Sequence, residues 1–288
     1  MNYRHAYHAG NFADVMKHAI LARIVEHLKA KEKPFRVIDT HAGVGLYDLS
    51  ADEALKTGEW HGGIGRLLGE DGRRIPLPAP LPELLSPYLE AVAAANGGGS
   101  LMAYPGPPWL VRHLIRRTDR LTAVELHPQD HAALAALFAG DTQVKAIELD
   151  GWLALSSFVP PKERRGLVLI DPPFEERDEF ETLLAGFVRA YRKWPTGIYA
   201  LWYPIKNIAA ATALRRGLHE SGIPKLLAAE LWVRERATPD RFNGSGLILA
   251  NPPWRLDEEA KALLAGLMPI LADDAGAGWS VEWIRGET

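Results

Sequence analysis

The stretch Gly166-Leu-Val-Leu-Ile-Asp171-Pro172-Pro173-Phe174 decides the fold of this chain. An unbroken apolar run of this length is typical of a strand buried on both faces, as in a parallel sheet. The two prolines then mark the end of the strand, because proline locks φ and has no N–H to donate. Since ligands bind outside the carboxyl ends of parallel strands, we expect a functional site where this strand ends.

The residues after this strand have the chemistry needed to hold a planar amine. The Asp171 carboxylate is an acceptor for one N–H of an exocyclic amine, and the rigid Pro172-Pro173 step aims the Pro172 carbonyl at the second. Phe174 offers a flat face to a base that has left its stack. We therefore predict that Asp171, Pro172, Pro173 and Phe174 form the catalytic motif of an amine methyltransferase. The alternative is a Pro-Pro turn that only ends a strand.

Strand and helix patterns alternate on both sides of this motif. Strands are predicted at 35–39, 121–126, 144–149, 166–170 and 197–203, with a closing pair at 226–233 and 246–250 and an edge strand at 279–284. Helices are predicted at 13–29, 110–117, 130–138, 180–194 and 208–221. This alternation indicates an α/β fold with a doubly wound parallel sheet. Residues 48–101 interrupt it with helical stretches predicted at 53–68 and 87–95 and a proline-rich linker at 75–85, and we interpret them as a small helical insertion.

Three more predicted strand ends carry residues suited to an adenosine cofactor. The first is the turn from Asp39 to Gly45, whose glycines allow close approach to the amino acid part of S-adenosylmethionine. Glu125 ends the next strand and is placed to hold ribose hydroxyls. Asp150 follows the third strand as an acceptor for the adenine amino group, and Gly151 leaves room beside the ring. The turn is not GxGxxG, which disfavours a dinucleotide cofactor.

A second motif, Asn251-Pro252-Pro253-Trp254, fits the same loose pattern as the catalytic motif. It follows the second strand of the closing pair. We expect that strand to run antiparallel, so that its end points away from the functional edge. We therefore predict that Asn251 is structural, and a different topology would reverse this choice.

Composition narrows the class of protein. The 288 residues are 47% hydrophobic and include no cysteine, which excludes disulfides and thiolate metal sites. No HExxH or similar spacing predicts a metal, no apolar run approaches the roughly 20 residues of a membrane span, and the N-terminus is too polar for a signal peptide. These features lead us to expect a cytoplasmic protein.

The charge distribution is more informative than the net charge of −3. Residues 1–36 hold seven Lys/Arg against three Asp/Glu, and further basic groups lie at 112–120 and 162–165. Basic segments in an otherwise acidic protein are suited to contact with the phosphate groups of a nucleic acid. The alternative for each cluster is an ordinary solvated helix face.

Taken together, these motifs resemble the bacterial 23S rRNA adenine N6-methyltransferases of the RlmJ type over nearly the whole chain. The resemblance includes residues 3–18, 39–43, 104–106, 125–128, 150–151, 164–166, 171–173, 199–204 and 251–254. It implies a class I S-adenosylmethionine-dependent methyltransferase, with a Rossmann-like sheet formed by 1–47 and 102–288 and a helical insertion at 48–101. Residues 1–12 are expected to act as a flap over the substrate.

The resemblance also implies roles for individual residues. The expected cofactor contacts are His18, His41, Gly43, Gly45, Pro107, Glu125, Asp150, Gly151 and Asp171, and the expected substrate contacts are Tyr3, Lys17 and Phe174. The chain departs from the family pattern twice. Phe174 replaces the usual tyrosine, which keeps the stacking face, and Pro107 replaces a serine, which leaves only a backbone contact there.

The expected partner is protein-free or early-precursor 23S rRNA, with no metal, no membrane, no obligate protein partner and a monomeric state. Three alternatives remain open on the residues. A DNA adenine methyltransferase would use the same site, a protein glutamine methyltransferase would rely on Asn251, and a non-enzymatic RNA-binding protein would not bind the cofactor. A nicotinamide oxidoreductase is disfavoured by the missing GxGxxG.

Overall fold

A computed structural model of the chain describes residues 4–69, 76–176, 178–206, 208–238 and 241–286. The strands are β1 (Arg36–Asp39), β2 (Leu46–Asp48), β3 (Ala103–Pro105), β4 (Arg120–Glu125), β5 (Val144–Glu148), β6 (Gly166–Ile170), β7 (Ile198–Ile205), β8 (Leu226–Trp232), β9 (Gly244–Ala250) and β10 (Gly278–Arg285). The helices are α1 (Phe12–Lys29), α2 (Asp52–Thr57), α3 (Ile64–Leu68), α4 (Leu81–Ala95), α5 (Pro107–Leu114), α6 (Pro128–Leu137), α7 (Gly151–Ser157), α8 (Glu179–Lys193), α9 (Ile208–Glu220) and α10 (Leu256–Leu271). Short 3-10 turns lie at His5–Tyr7 and Glu59–Gly62.

The main sheet has eight strands in the order β10-β8-β9-β7-β6-β1-β4-β5. Strands β5, β4, β1, β6 and β7 are parallel, while β9 inserts antiparallel between β7 and β8. The chain order reverses between β1 and β6, and such a switch point is where open α/β sheets bind ligands. The predicted class I methyltransferase sheet is confirmed, including its antiparallel closing strand.

Successive residues of the central strands face two different hydrophobic layers, as the period of a strand requires. Val37, Leu167 and Leu169 pack with α1, α4, α5 and α10 on one face, and Ile38 and Val168 pack with α7, α8 and α9 on the other. Because helices cover both faces, the strands are apolar throughout rather than alternating.

Helix α1 is the element that ties the N-terminal segment to the sheet. The Asn11 side chain accepts hydrogen bonds from the N–H groups of Ala13 and Asp14, each at 3.0 Å, and so caps the first turn. The helix is buried on almost all sides, since α4, α5 and α10 surround it. Its first turns are thereby held at the carboxyl edge of the sheet.

The predicted insertion differs from the expectation in its details. Helix α4 starts at Leu81, six residues before the predicted start, because Pro87 is accommodated inside the helix. The stretch predicted as one helix over 53–68 is two short helices and a 3-10 turn, separated by Gly58 and Gly63. Strands β2 and β3 pair antiparallel at the two ends of the segment. The domain boundaries at 48 and 101 stay a prediction.

Candidate active site

A cavity of about 300 Å³ opens at the carboxyl edge of the sheet, where β6, β1, β4 and β5 end. The sequence-predicted residues on its wall are Lys17, His41, Gly43, Pro107, Glu125, Asp150, Gly151, Asp171, Pro172, Pro173 and Phe174. Parallel neighbouring strands end at the same edge, and α1 brings Lys17 there, within hydrogen-bond distance of Asp171, which lies 154 positions further along the chain. The structure therefore brings most of the predicted site together.

Two predicted residues lie off the cavity wall. His18 is fully buried, its Nδ1 lies 2.8 Å from the Tyr104 hydroxyl, and burial lowers its pKa to about 3. Gly45 has a φ of +83°, and a side chain there would collide with Leu137. Their predicted cofactor contacts stay predictions, and Tyr3 lies outside the described residues.

Glu125 organises the glycine turn from the end of β4. Its Oε2 accepts a hydrogen bond from the Gly43 N–H at 2.8 Å, and its Oε1 accepts one from the His127 N–H at 2.7 Å. Each carboxylate oxygen retains a second lone pair for a ligand. Gly43 itself has a φ of +61° and lies against the Tyr47 hydroxyl, so a side chain is excluded there on both counts.

His41 and the Asp150-Gly151 turn form the next part of the wall. Asp150 caps α7, accepting a hydrogen bond from the Leu153 N–H at 2.8 Å, while His41 Nδ1 lies 2.9 Å from the Thr40 hydroxyl. Burial lowers the pKa of His41 to about 4, so its imidazole is neutral near pH 7. A Cβ on Gly151 would lie 2.6 Å from His41 Nε2 and closer still to the Thr40 carbonyl oxygen, so this turn requires glycine.

A buried ion-pair network holds Asp171, the first residue of the predicted catalytic motif. Lys17 Nζ lies 2.6 Å from Asp171 Oδ2 and 2.9 Å from Asp14 Oδ1, with the Lys17 side chain only 3% exposed. Burial alone would favour neutral Lys17, but Asp14 and Asp171 outweigh it and raise the Lys17 pKa above its ordinary value. Lys17 therefore stays an ammonium and fixes the Asp171 carboxylate in one orientation.

Asp39 lies close to this network at the end of β1. Burial, and secondly the negative charge of Asp171, raise the pKa of Asp39 to about 8. Its Oδ1 accepts a hydrogen bond from the His41 N–H at 3.2 Å, and its Oδ2 has no hydrogen-bond partner among the described residues. The Asp39 carboxyl is consequently protonated near pH 7 in the folded protein.

Phe174 stands in an aromatic wall at the mouth of the cavity. Its ring centroid lies 4.8 Å from that of Phe180 and 5.7 Å from that of Trp202, and its φ of +52° is unusual for a residue with a side chain. Local strain of this kind persists only where the surroundings over-determine it. The structure thus holds the Phe174 ring in one place rather than leaving it mobile.

Sequence reasoning missed several residues of the wall. Trp202 on β7, Phe242 before β9, Tyr47 on β2 and Asp14 on α1 all line the cavity. Trp202 could have been found, because it lies near the carboxyl end of the strand predicted at 197–203, and parallel strands end at one edge. The other three depend on long-range packing and left no comparable pattern.

In the second Pro-Pro motif, the Asn251 side chain has a structural role, as predicted. The Asn251 side-chain amide donates hydrogen bonds to the carbonyls of Pro195, at 2.8 Å, and Gly197, at 2.7 Å. Ala250 pairs with Tyr199 at the start of β7, so β9 ends at the amino edge of the sheet. Asn251 thus braces a turn on the side opposite the cavity.

Within the described ranges, no cluster of three or more His, Cys, Asp or Glu side chains is arranged to hold a metal ion. In the same ranges, no helix combines the length and the apolar character needed to cross a membrane.

A protein-family match identifies the family to which the chain belongs. Residues 32–285 match the family model described as "Ribosomal RNA large subunit methyltransferase D, RlmJ". The chain belongs to the RlmJ family. The resemblance inferred from the motifs is thereby confirmed. As a member of this family, the chain is a methyltransferase that depends on S-adenosylmethionine.

Full-length relatives agree with the RlmJ assignment. The chain is 40% identical over 288 residues to ribosomal RNA large subunit methyltransferase J of Haemophilus influenzae, covering 100% of both chains. It is 38% identical over 284 residues to the Escherichia coli protein of the same name, covering 99% of both. Among solved structures, protein LPL1258 of Legionella pneumophila matches with a TM-score of 0.85 and 32% identity, over 96% of this chain and 98% of that one.

Proposed function

We propose that the protein methylates N6 of one adenosine in 23S ribosomal RNA, with S-adenosylmethionine as the methyl donor. The observation that carries this proposal is Asp171, held by the Lys17 ammonium at 2.6 Å on the wall of a cavity that also contains Glu125 and Asp150. The names of the full-length relatives place the substrate class in large-subunit ribosomal RNA.

The cavity has the donor set that this cofactor requires. Its volume of about 300 Å³ lies at the lower end of the range for small-molecule sites. We assign the cofactor to His41, Gly43, Glu125, Asp150 and Gly151, where carboxylates and a glycine backbone meet. His18, Gly45 and Pro107 are retained as less direct contacts. When bound, S-adenosylmethionine supplies an electrophilic methyl group and a neutral thioether as leaving group.

The residues of this chain supply orientation rather than covalent chemistry. Asp171 and the Pro172 carbonyl accept hydrogen bonds from the two N–H groups of the adenine amine, while Phe174 stacks on the base. Methyl transfer would form the N6–CH3 bond as the C–S bond of the cofactor broke, and the methylated amine, which is acidic, would then release one proton to solvent. Positioning of this kind contributes most of the rate enhancement.

Lys17 acts in this scheme mainly through Asp171. Its ammonium is already committed to two carboxylates, so it fixes the acceptor rather than binding a phosphate. Tyr3 and the segment 1–12 are proposed to close over the base. The substrate is protein-free 23S rRNA or an early precursor in the cytoplasm, and the proposal needs no protein partner.

The test is methyl transfer from labelled S-adenosylmethionine to an unmodified 23S rRNA transcript, followed by nucleoside analysis. We expect N6-methyladenosine at one site. Asp171→Ala should abolish turnover and leave a folded protein, because Lys17 keeps Asp14 as a partner. Asp52→Ala, at an exposed position in α2, is the matched control and should be fully active.

Near-normal turnover of Asp171→Ala would contradict the site assignment. Cofactor binding without transfer to RNA would redirect the search to DNA or protein substrates. A protein glutamine methyltransferase is the weaker of these alternatives, because the Asn251 amide is occupied by two backbone carbonyls.

A further inference from the structure

Lys17 lies at the candidate active site, but the other basic groups singled out at 30–36, 115–120 and 161–165 do not line its cavity. The loops at 30–35, 115–120 and 161–165 precede β1, β4 and β6, which are neighbours in the sheet. Arg36 pairs with both Arg120 and Gly166, so the three loops lie side by side at the amino edge. Asp171 lies beyond the other end of β6, about 17 Å away for a five-residue strand.

These loops form one positively charged surface, which we call the amino-edge patch. They hold eight Lys/Arg against three Asp/Glu, a net charge of +5 in a chain whose total is −3. Two of the three acids are withdrawn from solvent or paired, since Asp119 is fully buried against Arg116 and Glu163 makes a two-bond ion pair with Arg36. The cations therefore dominate what this edge presents to solvent.

The patch is rigid because two guanidinium groups hold its central loop. Arg116 donates to the carbonyls of Lys29, Lys31 and Lys33, at 3.2, 2.9 and 3.4 Å, and Arg165 donates to the Lys33 carbonyl at 2.7 Å. Both guanidinium groups lie over the buried Phe35 ring, at 5.7 and 5.6 Å from its centroid. Burial, and secondly the positive charge of Arg116, lower the pKa of the Arg165 guanidinium.

Several cations of the patch are free to meet a ligand. The side chains of Lys31, Arg117 and Lys162 are exposed, and none makes a hydrogen bond or ion pair with another residue in the described part of the chain. The loops of the patch therefore present three positively charged side chains that have no partner among the described residues.

An exposed aromatic residue lies at the same edge. Trp254 is 85% exposed and follows Asn251, whose side chain is fixed to the turn before β7. Strand β9 is two strands from β6, or about 10 Å at the usual spacing of neighbouring strands. Basic side chains and an accessible aromatic ring on one edge of a sheet are a combination that can bind phosphates and stack an unpaired base.

We propose that the amino-edge patch and Trp254 form a second RNA-binding surface, which holds a part of the ribosomal RNA remote from the target adenosine. This inference rests on the proposed function for the identity of the RNA. The surface would contribute to substrate affinity and not to the methyl-transfer step, because it lies on the opposite edge of the sheet from Asp171.

The test is a triple variant, Lys31→Gln, Arg117→Gln and Lys162→Gln, assayed on full-length unmodified 23S rRNA. We expect KM for the RNA to rise about tenfold, with kcat and the affinity for the cofactor unchanged. The magnitude of the slope of log RNA affinity against log salt concentration should fall by about 2, since each lost phosphate contact removes roughly 0.7–0.9 from that slope. The matched control is Arg189→Gln, Arg216→Gln and Lys261→Gln, three exposed cations on α8, α9 and α10. Trp254→Ala should raise KM about fivefold or more, with little change in the salt slope.

If the patch variant and its matched control had equal KM values and equal salt slopes, the proposal would be overturned. The amino-edge patch would then bind a partner other than RNA. A loss of cofactor affinity together with RNA affinity would also overturn it, because it would indicate a damaged fold. Filter binding of the same RNA measures affinity without turnover. If the protein without substitutions transferred no methyl group, the proposed function would be wrong. Filter binding of the patch variant and its control would still decide whether the patch binds RNA.

Discussion

Replacement of Asp39 by asparagine should make the protein more stable at neutral and alkaline pH. Asp39 is buried, its Oδ2 has no partner in the described ranges, and its pKa is raised to about 8, first by burial and then by Asp171. The folded state therefore binds a proton that the unfolded state releases above its ordinary pKa of 3.8. A raised carboxyl pKa means that stability falls as pH rises from about 4 to about 8.

The size of the effect follows from the separation of the two pKa values. Each unit of pH between them costs about 1.4 kcal/mol, so the penalty reaches about 4 kcal/mol at pH 7 and levels off near pH 8. Asparagine cannot ionise and retains a carbonyl oxygen for the His41 N–H, which now donates to Asp39 Oδ1. The stability gained by the variant should therefore be near zero at pH 4 and grow with pH.

Urea unfolding of the original protein and of Asp39→Asn at several values between pH 5 and 8 measures this difference directly. The other titrating groups cancel, because both proteins share them. Asp52→Asn, an exposed aspartate in α2, is the control and should show no pH-dependent difference. A stability difference for Asp39→Asn that stays constant across this range would refute the protonated state of Asp39.

Two further predictions concern the cavity wall. Phe174→Tyr should leave kcat/KM nearly unchanged, because the stacking face is kept, whereas Phe174→Ala should cost about 1–3 kcal/mol of base stacking, measured as a lower kcat/KM on the rRNA transcript; equal activity of the two variants would exclude stacking on Phe174. Gly151→Ala should lose about 1–3 kcal/mol of stability and weaken cofactor binding, because its Cβ would collide with the Thr40 carbonyl and approach His41 Nε2 to 2.6 Å. Thermal unfolding would measure the stability and calorimetry the cofactor affinity, with Gly62→Ala as the control because its Cβ meets nothing within 4 Å. Equal stability and equal cofactor affinity of the two variants would contradict the prediction.

The carboxylate network explains why the proposed catalytic residue Asp171 tolerates partial burial. Lys17, Asp14 and Asp171 carry one positive and two negative charges, and the neighbouring Asp39 stays neutral by keeping its proton. A deprotonated Asp39 would add a third negative charge at the base of the cavity. Because breaking a buried pair is costly, we infer that this balance of charges makes the position of Asp171 reproducible.

Much of the fold was predictable because its determinants are local. The apolar run at 166–170 and the prolines after it specify a buried strand and its end by backbone geometry alone, and the helix and strand alternation then implies the parallel sheet. Parallel strands end at one edge, so the strand pattern alone assigns Asp171, Glu125 and Asp150 to one candidate site. The antiparallel direction of β9 likewise separated Asn251 from Asp171.

Side-chain periodicity and the conformational limits of proline and glycine therefore specify the sheet, the edge that carries the candidate site and the residues that end its strands. Which charges meet depends on the packing of the whole chain. Lys17 and Asp171 are 154 residues apart, the protonation of Asp39 depends on its burial, and the basic loops proved to lie at the edge away from the cavity. Ion pairing and desolvation depend on distances in space and on exclusion of water, which the chain acquires only when it has packed.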